Sequence, residues 1–157
     1  MEGAVLFGLD SNKIVQRKAK YTIGIKADLL WDEKLHSING KKYFDEFDQK
    51  YFCKDCFSIF FKINQNLSLG QKIVKCYYML YPRYSKILFY RTLKPNPIFI
   101  NEDEIEKIGE MTLDAGKDYP PGERKCIIII RIGGTFYDIK VIHMKSGNTL
   151  RTKFEFN

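Results

Sequence analysis

The stretch CIIIIRIGGTFYDIKVIHMKSGNTLRTKFEF, residues 126–156, decides the fold class. Residues 126–132 form an apolar, β-branched run, too short to span a membrane and bounded by Gly133-Gly134, whose access to positive φ suits a hairpin. Beyond it Tyr137, Ile139 and Val141 alternate with Asp138 and Lys140. After Lys145-Ser146-Gly147-Asn148, the residues Leu150, Thr152, Phe154 and Phe156 alternate with Thr149, Arg151, Lys153 and Glu155. Period two assigns one face to a core and the other to water. Strands joined by short polar turns, with no helix-length connection between them, predict a three-stranded antiparallel meander.

Composition extends this reading to the whole chain. At 157 residues it has the length of one domain with an ordinary core. Its 45% apolar and 15% aromatic content excludes a disordered chain and favours sheet, because Phe and Tyr fill pleated, half-buried surfaces. No apolar run reaches the roughly 18 residues of a spanning helix, and Met1-Glu2-Gly3-Ala4 lacks the basic region of a secretory signal. A cytoplasmic setting is expected, and four cysteines in such a length fit reduced thiols better than a disulfide framework. The net charge of +7 raises nucleic-acid binding as a reading. The densest basic run, Lys13, Arg17, Lys18 and Lys20, carries no stacking aromatics, however, and other cations are interleaved with Asp and Glu. A solvated, lysine-protected sheet surface has the same composition.

Residues 3–9 read as the tail of a short apolar helix whose natural neighbours would lie upstream, so the chain is expected to be a fragment. Residues 11–20 read as a basic linker, followed by a strand with Tyr21, Ile23 and Ile25 on one face. From about residue 28 to 55 the pattern weakens into a charged, aromatic insert. There Asn39-Gly40 predicts a small hairpin between residues 35–38 and Tyr43-Phe44. Strands at 57–63, 72–81 and 86–93, the last two joined by Pro82-Arg83-Tyr84-Ser85, suggest a second meander. Residues 102–108 are either a helical turn capped by Asn101 or the lead into a strand at 108–113, and 114–122 is a loop. The fold class is therefore mainly β: an antiparallel β-sandwich of about eight strands preceded by a short helix remnant.

Chemical motifs are sparse. No Gly-rich segment between strand and helix has the spacing of a phosphate loop. His143 falls on an alternating strand and reads as half-exposed and structural; no carboxylate pair stands out for acid/base work. Cys53-Lys54-Asp55-Cys56 has the C-x-x-C spacing of zinc and redox sites. Its possible partners, Cys76, Cys126, His36 and His143, are scattered, and no helix N-terminus accompanies it. The expectation is ordinary reduced cysteines and no metal.

The order of the segments resembles the seventy-kilodalton heat-shock chaperones, the DnaK family. Gly3-Ala4-Val5-Leu6-Phe7-Gly8-Leu9 is similar to the helix that closes their actin-like ATPase domain, and Tyr21-Thr22-Ile23-Gly24-Ile25 to the opening strand of their substrate-binding sandwich. Phe60-Phe61-Lys62-Ile63-Asn64, Ile108-Gly109-Glu110-Met111-Thr112-Leu113 and Lys145-Ser146-Gly147-Asn148 resemble later segments of that sandwich in the same order. The family's acidic, leucine-rich linker is replaced by Ser11-Asn12-Lys13-Ile14-Val15-Gln16-Arg17-Lys18. With the insert and an ending that has no helical lid, this points to the divergent heat-shock seventy-kilodalton protein twelve branch.

The resemblance divides the chain into residues 1–10, a remnant of the ATPase domain; 11–20, a linker; and 21–157, a substrate-binding-like sandwich. It implies a domain that holds extended apolar polypeptide segments by strand addition and a side-chain pocket. Carried over, the pocket is Ile25, Ala27, Tyr77, Tyr78, Leu80, Ile87, Phe89, and Cys126 or Ile127, each equally suited to a plain core. Asp28 and Leu80 stand at the family's arch over the peptide, with an acidic side chain where an apolar arm is usual. Catalytic residues and cofactors are expected to be absent here, ATP and magnesium belonging to a longer parent with an upstream ATPase domain. A structural or protein-interaction sandwich that has lost peptide binding is the alternative, and a basic nucleic-acid module the third reading.

Overall fold

The computed structural model describes residues 16–155. The expected helix remnant at residues 3–9, and Phe156, lie outside the described residues. The C-terminal meander forms as expected: β9 (Lys125–Ile132), β10 (Phe136–His143) and β11 (Thr149–Glu155) pair antiparallel in order. Register places Ile139 opposite Ile130 and Thr152, so alternation along all three strands turns one row inward. Ile128, Ile130, Ile132, Ile139 and Val141 are almost fully buried. Gly147 takes φ 78° in the second turn, whereas Gly133 and Gly134 do not have positive φ. Gly133 is needed for close approach instead, since a Cβ there would lie 2.7 Å from the Phe136 carbonyl oxygen.

The second expected meander does not form. β4 (Lys50–Phe61), β6 (Lys72–Tyr78) and β7 (Tyr84–Thr92) alternate between sheets rather than pairing in sequence. With β10 on one side of β9, the free side of β9 takes β6, Ile73 lying opposite Ile130 and Tyr77 opposite Cys126. The chain then crosses at residues 79–83, where Pro82 has no N–H to offer a ladder, and returns to the other sheet. One sheet has the order β11-β10-β9-β6. With β2 (Thr22–Leu30), β3 (Lys42–Asp45) and β8 (Ile105–Asp114), the other has the order β3-β4-β2-β7-β8. β8 resolves the ambiguity around residues 102–108 in favour of a strand. A small ribbon pairs β1 (Gln16–Lys18), within the segment read as a linker, with β5 (Asn66–Ser68).

The insert builds an extension at one end of the sandwich. Its hairpin is not where Asn39-Gly40 placed it. Asp32 caps a single helical turn, α1 (Glu33–His36), by accepting the Lys34 amide at 2.9 Å, and Gly40 N–H closes that turn on the His36 carbonyl. The hairpin joins β3 to the start of β4 through residues 46–49, with Gln49 at φ 54°. Beyond β3, the edge of β4 is covered by the 93–104 loop, which exchanges Phe57 N–H to Ile98 O and Ile100 N–H to Asp55 O.

The inner faces of both sheets make one core, which includes Ile23, Ile25, Phe60, Phe61, Ile87 and Phe89 opposite the isoleucine row. Phe60 and Phe61 are consecutive yet both buried, because the register shifts between Ile23 and Gly24 and leaves an extra residue in β4. Gly24 permits this approach: a Cβ there would lie 2.3 Å from the Ser58 carbonyl oxygen and 2.5 Å from the Phe57 ring. Gly24→Ala should therefore destabilise the chain by about 1–3 kcal/mol. Urea denaturation checks this, and an unchanged midpoint would show that the bulge has room.

Candidate functional site

The structure separates the expected pocket residues into two groups. Ile25, Ile87, Phe89 and Cys126 lie in the shared core, with half-buried Tyr77 packed against it. Tyr77 donates to or accepts from Ser85 Oγ at 3.1 Å, and burial, then Cys126, raises its phenol above the usual range. Burial also pushes the Cys126 thiol up to about 11. Ile127 points to the outer face, while Ala27 and Asp28 are partly buried late in β2. Tyr78 and Leu80 are 58% and 57% exposed. None of these ten residues lines either of two cavities: one of about 330 Å³ beside Tyr21, Arg91, Tyr137 and Phe154, the other of about 280 Å³ beside Leu29, His36 and Ile98.

Tyr78 and Leu80 begin an exposed apolar ridge that continues through Tyr81 and Tyr84, 70% and 51% exposed. Antiparallel register puts this crossover at the end of the sandwich that carries the insert, because β7 starts where β2 finishes. Its backbone is held firmly. Met79 N–H donates to Arg124 O, Tyr119 N–H to Pro82 O, and Ala115 N–H to Arg83 O, at 2.9 Å each. Arg124 reaches back to Leu80 O and Tyr119 O, and Arg83 forms a forked pair with Asp114 at 2.8 and 3.2 Å. Buried Met79 is the hydrophobic anchor beneath. The ridge is therefore a preorganised apolar surface, the arrangement that lowers the ordering cost of binding.

A second constellation was not legible as such. His36, Cys53 and Cys56, all buried, bring one ligand-type atom each to within 4.8 Å of one another. The sequence places the two cysteines three apart, which in a regular strand means opposite faces. A bulge unites them: Ala27 pairs with Cys56 and Leu29 with Cys53, so β4 spends an extra residue there, with Asp55 at φ 57°. Asp28 fixes the bulge, accepting Asp55 N–H at 3.1 Å and Tyr43 O–H at 2.8 Å. Its carboxylate is thus committed within the insert. His36 arrives from α1, flanked by the Trp31 and Phe99 rings with centroids 5.4 and 5.9 Å away. The expectation that the histidines lie apart from the C-x-x-C pair is corrected for His36; a His within the same insert was the available signal. Burial, then Cys53, pushes the Cys56 thiol up to about 12, opposed by the Leu29 amide.

His143 corrects a smaller expectation, being fully buried rather than half-exposed. Nε2 lies 2.8 Å from the Glu123 carbonyl oxygen and Nδ1 2.7 Å from Ser146 Oγ, so both ring nitrogens are used in joining the 3-10 turn Pro121–Glu123 to the last hairpin. Phe99 is presented to the cysteines by a loop built on Glu102, whose Oε2 accepts the Ile98 and Phe99 amides at 2.7 Å each while Oε1 meets Lys94 Nζ at 3.2 Å. Burial pushes the Glu102 carboxyl up, but those two amides and Lys94 outweigh it and hold it below the ordinary value.

Two outcomes follow from this geometry. Asp28→Ala leaves the Asp55 amide and the Tyr43 hydroxyl without their acceptor, and should cost about 1–3 kcal/mol in chemical denaturation. For Glu102 the folded-state value is depressed, so its contribution is present at neutral pH and is lost as pH falls through that value, below 4.5. The stability gap between native chain and Glu102→Gln should consequently shrink on acidification from neutral pH, and a constant gap would show that the carboxylate charge is not what holds the loop.

Comparison with known proteins agrees with the branch read from the residues. The chain is 26% identical over 161 residues to heat shock 70 kDa protein 12A of Mus musculus, covering 99% of this chain and 23% of that protein. It is 23% identical over 172 residues to heat shock 70 kDa protein 12B of Homo sapiens, covering 99% and 24%, and 25% identical over 161 residues to human heat shock 70 kDa protein 12A, covering 99% and 23%. No family model matches. The chain spans about a quarter of the length of these curated relatives. Along nearly its whole length, this β-rich chain is similar to heat shock 70 kDa proteins 12A and 12B.

Proposed function

We propose that this chain is the polypeptide-binding β-sandwich of an HSP70-related protein, holding extended apolar segments at its crossover end. The observation that carries the proposal is the pinned, exposed ridge Tyr78, Leu80, Tyr81 and Tyr84. Tyrosines suit such a surface, offering a large apolar body at small conformational cost. The ridge continues from β6, an edge strand of its sheet, so a peptide can add to that edge through its backbone while placing side chains on the ridge. Backbone pairing matters because one buried anchor contributes only about 1.5–3 kcal/mol, whereas micromolar affinity requires about 8 kcal/mol. Core residues such as Phe89, 0% exposed, support the scaffold rather than touch the peptide. On this reading any nucleotide chemistry belongs to a longer parent, and a cytoplasmic setting would suit the four free cysteines. Among the described residues no helix is long and apolar enough to cross a membrane.

Fluorescence anisotropy with a labelled, leucine-centred extended peptide tests this. Binding should saturate, change little between low and high salt, and weaken at least about tenfold in Leu80→Glu, the loss of one anchor. A folded chain without saturable peptide binding would favour the interaction-module reading. Tight binding of a single-stranded oligonucleotide, falling steeply with salt, would favour the nucleic-acid reading.

A further inference from the structure

We propose that His36, Cys53 and Cys56 form a zinc site, with the fourth coordination position left to water or an added donor. Two thiols and an imidazole are the donor set zinc takes in Cys- and His-based sites. Distances agree. Zinc bonds of about 2.3 Å to sulfur and 2.0–2.1 Å to nitrogen, set tetrahedrally, separate S from N by about 3.6 Å, and Cys56 Sγ lies 3.7 Å from His36 Nε2. All three ligand atoms already lie within 4.8 Å of one another, so an ion needs only small side-chain adjustments to gather them.

The surroundings suit a metal thiolate better than a plain apolar core. The β4 bulge puts both sulfurs on one side, with Cys56 Sγ 3.7 Å from the His36 ring nitrogen. Trp31, Ile98 and Phe99 enclose the cluster. His36 also lines the cavity of about 280 Å³ with Leu29, Leu35 and Phe57, which gives an ion its entry path. In the metal-free chain Nδ1 accepts the Asp32 amide at 2.9 Å, so the ring proton sits on Nε2 facing Cys56. Uptake of Zn²⁺ releases the two thiol protons to solvent, and the ring keeps its one proton by moving it from Nε2 to Nδ1. Nδ1–H then requires an acceptor in place of the Asp32 amide, so the start of α1 has to adjust. Ion binding is thereby linked to the cap of α1.

Chelator-treated 157-residue chain titrated with Co²⁺, then with Zn²⁺, tests the site. The native chain should take up one cobalt ion, with a thiolate-to-cobalt charge-transfer band and the strong visible bands of tetrahedral cobalt, both abolished by one equivalent of zinc. Cys53→Ser and Cys56→Ser should lose the charge-transfer intensity, and His36→Ala should weaken binding by at least about tenfold. Cys76→Ser, altering an exposed cysteine outside the cluster, should leave the titration unchanged. Substoichiometric or octahedral cobalt in the native chain overturns the proposal whether or not the variants fold, as does loss of the signal in Cys76→Ser.

Discussion

The two sheets are held by one apolar interface, and the strands that pack across it have to deliver their inward-facing residues to it. Ile128, Ile130, Ile132, Ile139 and Val141 supply one side, and Ile23, Ile25, Phe61, Ile87 and Phe89 the other. Each such burial contributes about 1.5–3 kcal/mol, far more than the exposed ion pairs along the sheets, which are worth about 0–1 kcal/mol. Aromatic contacts cross the interface as well, Phe61 with Tyr137 at 5.5 Å and Phe89 with Phe154 at 5.1 Å between centroids. Because strand side chains alternate, a slip of one residue anywhere in this interface would turn a row of isoleucines to water.

That constraint explains the crossing of β6. Its inward residues Ile73 and Tyr77 pack against the core, and its outward residues Val74 and Tyr78 are exposed. Pairing with β9 places the first pair inside; the chain must then return across the end of the sandwich to start β7. The 79–83 crossover is consequently pinned by Arg124, Tyr119 and Ala115, while Leu80 and Tyr81 have no core left to enter. The apolar ridge at that end is thus a by-product of sheet exchange, presented on a backbone too well bonded to collapse.

The parts that were legible in sequence are those where period two runs unbroken. Residues 126–155 announce their strands and pairing because a short β-branched run is followed by two alternating segments and the turns between are short. Sheet exchange was not legible, since alternation in 72–78 is the same whether that strand pairs with β7 or β9. The insert misled through Asn39-Gly40, which favours a hairpin turn but here ends a helical turn begun by Asp32. Of the expected pocket, the residue types were right for burial, yet burial does not distinguish a ligand wall from a core: Phe89 and Cys126 are enclosed whereas Tyr78 and Leu80 face water.

β4 ties the insert to the sandwich, and its two bulges show how. A twelve-residue strand in strict alternation would present one set of side chains along its length. Instead, the phase is reset at Lys54-Asp55, which gathers Cys53 and Cys56 beside His36, and again near Phe60, which sends both Phe60 and Phe61 into the core. Between the resets Phe57 is clasped by Ile98 O on one edge and stands over Gly24 on its face. Neither reset can relax alone, because shifting the first would drag Phe57 against Gly24 and shifting the second would withdraw Phe61 from Tyr137. The histidine–cysteine cluster and the sandwich core are therefore both seated on β4, whose two bulges decide which side chains each receives.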